Sequence, residues 1–145
     1  MVWNPRGTKM AGQKIVIDAS VAVKWYNPEK LSERALELRS KHVKGEVMLY
    51  APDLLLYEVT NALRWNPELG DEDVRLAAQS LEDIMIVFEK PSFGLAVQLA
   101  YASGLTIYDA SYLALARDLG CELVTADKTL LEKGEENVIP LGRGG

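Results

Sequence analysis

Four acidic side chains interrupt apolar segments of this chain, so any fold that buries those segments must also accommodate the charges. They are Asp18 in KIVIDASVAV, Glu58 in LLLYEVTNAL, Asp109 in LTIYDASYLALA and Asp127 in CELVTADKTLL. Removing a carboxylate from water costs on the order of several kcal/mol unless it is paired, protonated or bound to a cation. The sequence offers no obvious buried Lys or Arg for each acid. A shared divalent metal would offset the cost for all four.

The composition is that of one globular domain. The chain has 145 residues, of which 48% are hydrophobic and 26% charged, ordinary values for a single soluble core. No apolar run approaches the roughly 20 residues that span a bilayer, and the first residues lack a signal-peptide core. We therefore expect a cytoplasmic protein without a membrane segment. A net charge of -5 argues against a basic nucleic-acid surface, although bound cations would reverse the potential at an acidic site.

Short apolar runs alternate with helical segments along the chain. The patterns predict strands at 14–18, 47–51, 84–88, 122–126 and 137–141, with helices at 20–26, 30–44, 52–66, 71 onward, 92–103, 109–119 and 127–133. This alternation is typical of a three-layer α/β/α fold with a central, mainly parallel sheet. We expect one domain at 13–141, a flexible leader at 1–12 and a flexible tail at 142–145, with Met10 as a possible true start.

Three of the acids are expected at one edge of the sheet. Asp18 ends the first strand, Asp127 follows the CELVTA strand, and Asp109 begins a helix after the short extended segment LTIY. Sites in open α/β sheets form beyond the carboxyl ends of the strands, near the switch in strand order. A simpler interpretation remains open for each Asp taken singly, because Asp is a preferred N-cap of helices.

Glu58 does not fit the capping interpretation, because it lies inside a predicted helix. It follows Leu54 by four residues and Leu55 by three, which places it on or beside the apolar face. Asn61 lies almost one turn further along the same side. Glu58 therefore needs a buried partner that the sequence does not identify.

The types of residue available restrict the chemistry of the site. A set of carboxylates suits a hard cation such as Mg²⁺ or Mn²⁺, whereas one Cys and one His argue against zinc. His42 is expected at a solvated helix end, and no Ser pattern accompanies it, which argues against a Ser-His-Asp triad. No glycine-rich loop joins a strand to a helix as nucleotide-binding loops do.

In their order along the chain, these motifs resemble the PIN-domain ribonucleases, especially the VapC-type toxins of prokaryotic toxin–antitoxin pairs. The resemblance covers nearly everything from Lys14 to Leu141 and rests on IDAS, LLLYEVTNAL, YDASYLALA and TADKTLL. It implies a PIN-like fold and a Mg²⁺- or Mn²⁺-dependent endoribonuclease, usually dimeric and blocked by a cognate antitoxin. Leu130 stands where many relatives carry an aromatic residue, and Lys128 where another polar residue occurs. Neither departure removes a ligand.

The resemblance also implies roles for individual residues. Asp18, Asp109 and Asp127 are expected to hold the metal directly or through water. Glu58 is expected either to bind the metal or to take a proton from the attacking water. Hydrogen bonds that orient the carboxylates are expected from three further side chains, which are Ser20, Asn61 and Thr125.

Other functions remain compatible with the sequence. The same chemistry would serve a housekeeping RNA-processing nuclease. A catalytically idle binding module could retain the fold, although four intact acids argue against it. A receiver-type domain with Asp18 as phosphoacceptor would have a paired acid at the end of the first strand, where Ile17 and Ala19 flank Asp18 instead.

Overall fold

A computed structural model describes residues 12–142 of the chain. The strands in this range are β1 (Gln13–Ile17), β2 (Val47–Ala51), β3 (Val87–Phe88), β4 (Glu122–Thr125) and β5 (Val138–Pro140). The helices in it are α1 (Ala19–Ala22), α2 (Ser32–Val43), α3 (Leu54–Arg64), α4 (Asp71–Asp83), α5 (Phe93–Ser103), α6 (Ile107–Leu119) and α7 (Lys128–Lys133), and a 3-10 turn at Val23–Trp25 extends α1. Apart from Gly12 and Gly142, the expected leader and tail lie outside the described residues.

The five strands form one sheet in the order β3-β2-β1-β4-β5, and every neighbouring pair is parallel. The order reverses at β1, because β2 lies on one side of it and β4 on the other. In the β1–β4 pair, Ile17 lies opposite Val124, so the carboxyl ends of the two strands meet. The α/β fold with a parallel sheet flanked by helices is therefore confirmed, and its switch point lies between β1 and β4.

Helix α6 is the most enclosed helix of the fold. Every residue from Ala110 to Ala116 is buried, as in helices that are covered on all sides. It packs against β1, β4 and α5. Because α6 is fixed in the core, the side chains of its first turns are held firmly beside the sheet.

Two predicted boundaries are wrong. The segment LTIY is not extended, because Ile107 and Tyr108 already belong to α6 and the Thr106 side chain caps it by accepting a hydrogen bond from the Asp109 N–H at 3.0 Å. The strand expected at 84–88 is reduced to Val87–Phe88. Met85 has a φ of 63°, a left-handed turn between α4 and β3 that cannot continue a strand.

His42 joins three elements instead of lying at a solvated end. Its Nδ1 accepts from the Leu49 N–H at 3.1 Å, and its Nε2 then donates to the Ile84 carbonyl at 2.8 Å. The half-buried ring therefore ties α2 to β2 and to the end of α4. Across residues 12–142, no helix combines the length and apolarity that crossing a membrane requires.

Candidate active site

Asp18 lies just beyond β1, with only 5% of its surface exposed. Its two carboxylate oxygens each accept a hydrogen bond from a hydroxyl group. Ser20 Oγ donates to Oδ1 at 2.6 Å, and Thr125 Oγ1 donates to Oδ2 at 2.7 Å. No Lys or Arg within residues 12–142 forms an ion pair with Asp18. The charge is therefore solvated by two neutral hydroxyls alone.

The backbone that follows β4 fixes these two hydroxyls. The Ala126 N–H donates to Ser20 Oγ at 2.9 Å, and the Asp127 N–H donates to Thr125 Oγ1 at 2.9 Å. Each hydroxyl thus accepts a hydrogen bond from a backbone N–H and donates one to Asp18. The carboxyl ends of β1 and β4 are consequently linked by a closed network of hydrogen bonds, in which Thr125 is fully buried.

Side-chain capping is seen for one of the three Asp residues to which it was attributed. Asp127 Oδ2 accepts from the Leu130 N–H at 2.9 Å and caps α7. Asp18 occupies the N-cap position of α1, but its side chain makes no capping bond. Asp109 is the third residue of α6 and so is not its cap. Helix capping therefore does not account for the positions of Asp18 and Asp109.

Burial dominates the electrostatics of Asp18. Loss of solvent raises the pKa of Asp18 from its ordinary value of 3.8 to about 6, against the lowering effect of the Ser20 and Thr125 hydrogen bonds. The charges of Asp127 and Asp109 raise it further. Asp18 therefore lies within electrostatic range of both other aspartates.

Asp109 shows the same pattern on the helical side of the site. Burial raises the pKa of Asp109, and the charges of Asp127 and Glu58 add to the rise. Electrostatic repulsion thus acts between Glu58 and Asp109, and between Asp109 and both Asp127 and Asp18. A cation placed among these carboxylates would relieve that repulsion.

The partner that Glu58 needs is Tyr112, a residue that was not among those expected at the site. The Tyr112 hydroxyl donates to Glu58 Oε1 at 2.6 Å, and the ring is only 1% exposed. Burial, followed by the hydrogen bond and charge of Glu58, raises the pKa of Tyr112. Tyr112 follows Asp109 by three residues in YDASY, so the spacing of one helical turn could have placed it on the same side of α6 as that acid.

Asp18 is more deeply buried than the other three acids. Glu58, Asp109 and Asp127 are half-buried, so the expectation of four charges in the core is correct for Asp18 alone. Asn61 is exposed and lines an open groove together with Glu58. Within the described part of the chain, no hydrogen bond joins Asn61 to any of the four acids.

The donor atoms fit a hard cation, although no metal site is ready-made. Within residues 12–142, no three His, Cys, Asp or Glu side chains are arranged as a metal cluster. The acids that influence one another nevertheless offer only carboxylate oxygens, the donors that Mg²⁺ and Mn²⁺ prefer. These donors are therefore of the right chemical type for one hard cation held among them.

Comparison with known proteins identifies a matching family and several similar proteins. Residues 15–136 match the PIN domain family. Ribonuclease VapC3 of Pyrobaculum aerophilum is 34% identical over 138 residues, 88% of this chain and 99% of the relative. Exonuclease VapC9 of the same organism is 36% identical over 96 residues, 64% of this chain and 72% of the relative. The crystal structure of PAE2754 from that organism matches with a TM-score of 0.63 at 30% identity, covering 91% of this chain and 92% of that one.

Proposed function

The chain belongs to the PIN domain family, and on that basis we propose that it is a metal-dependent endoribonuclease. The observation that carries the proposal is Asp18, a buried carboxylate that pairs with no Lys or Arg of residues 12–142 and lies beside two further aspartates that raise its pKa. This arrangement lies at the switch point of a parallel sheet, where sites of such folds form. The relative that spans nearly the whole chain is named a ribonuclease.

The four carboxylates have different roles in the proposed reaction. Asp18, Asp109 and Asp127 are assigned as ligands of Mg²⁺ or Mn²⁺, and Glu58 as a further ligand or as the acceptor of a proton from water. A divalent cation, when bound, supplies an activated water and neutralises charge on the scissile phosphate.

Neutral side chains are assigned positioning roles. Ser20 and Thr125 hold both oxygens of Asp18 in place, and Tyr112 holds one oxygen of Glu58. Asn61, in the groove beside Glu58, is assigned to orient that carboxylate once substrate is present. Such positioning is worth roughly 10- to 100-fold in related metal sites.

The biological role that we propose is that of a cytoplasmic toxin of a VapBC-type toxin–antitoxin pair, acting on RNA and inhibited by a cognate antitoxin. The support is the similarity to proteins named VapC. A housekeeping RNA-processing nuclease is the alternative with the same site. An adjacent gene for a small DNA-binding antitoxin would favour the toxin role.

We also propose that the protein is a homodimer. Three apolar side chains project from α5 at four-residue spacing: Phe93, Val97 and Tyr101 are 48%, 44% and 87% exposed. Residues at this spacing form one stripe along a helix. An exposed apolar stripe of this kind is typical of a surface that contacts another protein.

RNA cleavage by the purified protein tests the proposed function. We expect cleavage with Mg²⁺ or Mn²⁺ and none with a chelator. Asp18→Asn and Asp109→Asn should each lower the rate by more than about a hundredfold, beyond what outer positions of a metal site usually cost. The exposed Asp83, replaced in Asp83→Asn, is the matched control and should retain activity. RNA labelled at either end separates internal cuts from stepwise exonuclease digestion.

Each other outcome has a defined meaning. Equal cleavage by the wild type and both site variants would show a contaminating nuclease and refute the site. If no divalent metal supports cleavage, the idle binding module is favoured. Phosphorylation of Asp18 would favour the receiver-type alternative.

A further inference from the structure

A cavity of about 570 Å³ opens on α3, the segment after β3, and the first turns of α5 and α6. That volume is within the range of small-ligand sites. Its lining is largely apolar and aromatic, and includes Tyr57, Phe88, Phe93, Ile107 and Tyr108. No catalytic or metal-binding role assigned above involves this cavity, and Phe93 at its rim also begins the apolar stripe of the proposed dimer surface.

The cavity adjoins the carboxylates through two exposed tyrosines. Tyr57 and Tyr108 are 67% and 62% exposed, and they directly precede Glu58 and Asp109 in the chain. Tyr57 also borders the groove that contains Glu58, so the cavity and that groove meet at this side chain. Exposed aromatic faces beside a nuclease site are suited to stacking on unpaired bases.

The polar groups of the cavity favour a base over a phosphate. Asp53 and Glu89 belong to its lining and offer carboxylate oxygens, which accept hydrogen bonds. Carboxylates repel phosphate, whereas they accept hydrogen bonds from the amino groups of bases. Lys90 also lines the cavity, with its Nζ 5.5 Å from the centre of the Phe93 ring. This cation suits a phosphate that flanks the bound base.

Resting on the proposed ribonuclease activity, we propose that this cavity binds an unpaired nucleobase of the RNA, next to the phosphate that is cut. Tyr57 and Tyr108 stack on the base, and Asp53 or Glu89 accepts a hydrogen bond from its amino group. The subsite selects single-stranded RNA, because a base within a duplex cannot enter it.

Binding of a short single-stranded RNA that carries one 2-aminopurine tests the subsite. The measurement uses Asp18→Asn protein with Mg²⁺, so that binding is read without cleavage. We expect quenching of the 2-aminopurine, and an affinity that is about tenfold or more weaker when Tyr57→Ala and Tyr108→Ala are added. Phe at both positions retains the rings and should keep the affinity within about twofold of the parent.

Two controls isolate the contact between tyrosine and base. Trp65→Ala removes an aromatic ring that is 70% exposed but lies outside the cavity, and it should leave the affinity unchanged. An RNA with an abasic site in place of 2-aminopurine should bind the parent and the double alanine variant equally.

The outcomes distinguish the subsite from the proposed function. Unchanged affinity and quenching in the double alanine variant would overturn the subsite even if the wild type cuts RNA. Tyrosine-dependent binding by a protein whose wild type cuts no RNA would support the subsite and refute the activity. If light scattering shows a dimeric parent and a monomeric double variant, a second copy of the chain covers the cavity and the subsite is wrong.

Discussion

The two halves of the candidate site are built differently. On the sheet side, Asp18 is buried and both of its oxygens are held by hydroxyls that the backbone after β4 fixes in turn. On the helix side, Glu58 and Asp109 are half-buried, and the Glu58 carboxylate accepts a hydrogen bond from Tyr112.

The sheet side therefore positions a carboxylate, and the helix side leaves the site accessible. A closed network on the sheet side sets the orientation of Asp18 before any ligand binds. The open helix side leaves room for RNA and borders a cavity lined by exposed tyrosines. Removing one hydrogen bond should therefore lower activity more on the sheet side than on the helix side, because the orientation of Asp18 depends on every bond of the network.

Thr125→Val should have the largest effect, since it breaks the network on the sheet side. It removes the donor to Asp18 and the acceptor for the Asp127 N–H. We expect cleavage to fall about a hundredfold and the free energy of unfolding to fall by about 1–3 kcal/mol, measured by cleavage rates and urea unfolding. Thr125→Ser keeps the hydroxyl and should stay near wild type. Equal behaviour of the Val and Ser variants would show that the hydroxyl is not needed.

Tyr112→Phe tests the helix side and should have an intermediate effect. The ring is retained in the core, while the 2.6 Å hydrogen bond to Glu58 is lost. We expect cleavage to fall about tenfold and the free energy of unfolding to fall by about 1 kcal/mol. Tyr26→Phe removes a hydroxyl that donates to Ser80 Oγ at 2.9 Å outside the site, and it serves as the control for cleavage. A loss as large as that of Thr125→Val would contradict the proposed difference between the two sides.

Asn61→Ala should have the smallest effect. Because Asn61 is exposed, the free energy of unfolding should stay within about 0.5 kcal/mol of wild type. We expect a decrease in cleavage of about threefold, less than the usual cost of an orienting contact. Gln98→Ala changes an exposed amide on α5 and is the matched control. Wild-type cleavage by Asn61→Ala would remove this residue from the site.

The sequence predicts the sheet side of the site better than the helix side. Short apolar runs alternating with helices predict a parallel sheet, and in such a sheet the acids that follow β1 and β4 come to the same edge. Asp18 and Asp127 could be placed there because each directly follows a strand. Their positions directly after predicted strands are enough to predict that they share one edge of the sheet.

The helix side depends on packing that no local pattern specifies. Glu58 and Tyr112 are 54 residues apart, and they meet only because α3 and α6 are brought together in the folded protein. The start of α6 was misplaced because both Thr106 and Asp109 are suitable caps, and the folded chain uses Thr106. The apolar neighbours of Glu58, Asp109 and Asp127 also suggested more burial than their positions at the rim of the core allow.

The central claim is that these carboxylates form one cation site, and the pH dependence of stability follows from it. The pKa of Asp18 rises from 3.8 to about 6 on folding. Below both pKa values, Asp18 is protonated in the folded and in the unfolded protein, so it has no effect on how the free energy of unfolding changes with pH. As pH rises from the lower value to the higher, the unfolded chain ionises first, so the folded protein loses stability, by about 3 kcal/mol in total. The raised pKa of Asp109 acts in the same direction.

Thermal unfolding with and without Mg²⁺, at about pH 5 and about pH 8, tests this claim most directly. A cation bound only by the folded carboxylates stabilises the protein where they are ionised. We predict that Mg²⁺ raises the Tm of the wild type strongly at about pH 8 and weakly at about pH 5. Asp18→Asn should be more stable than the wild type at about pH 8 without metal, and should gain less from Mg²⁺. An equal gain for both proteins, or none for either at about pH 8, would contradict a shared cation site.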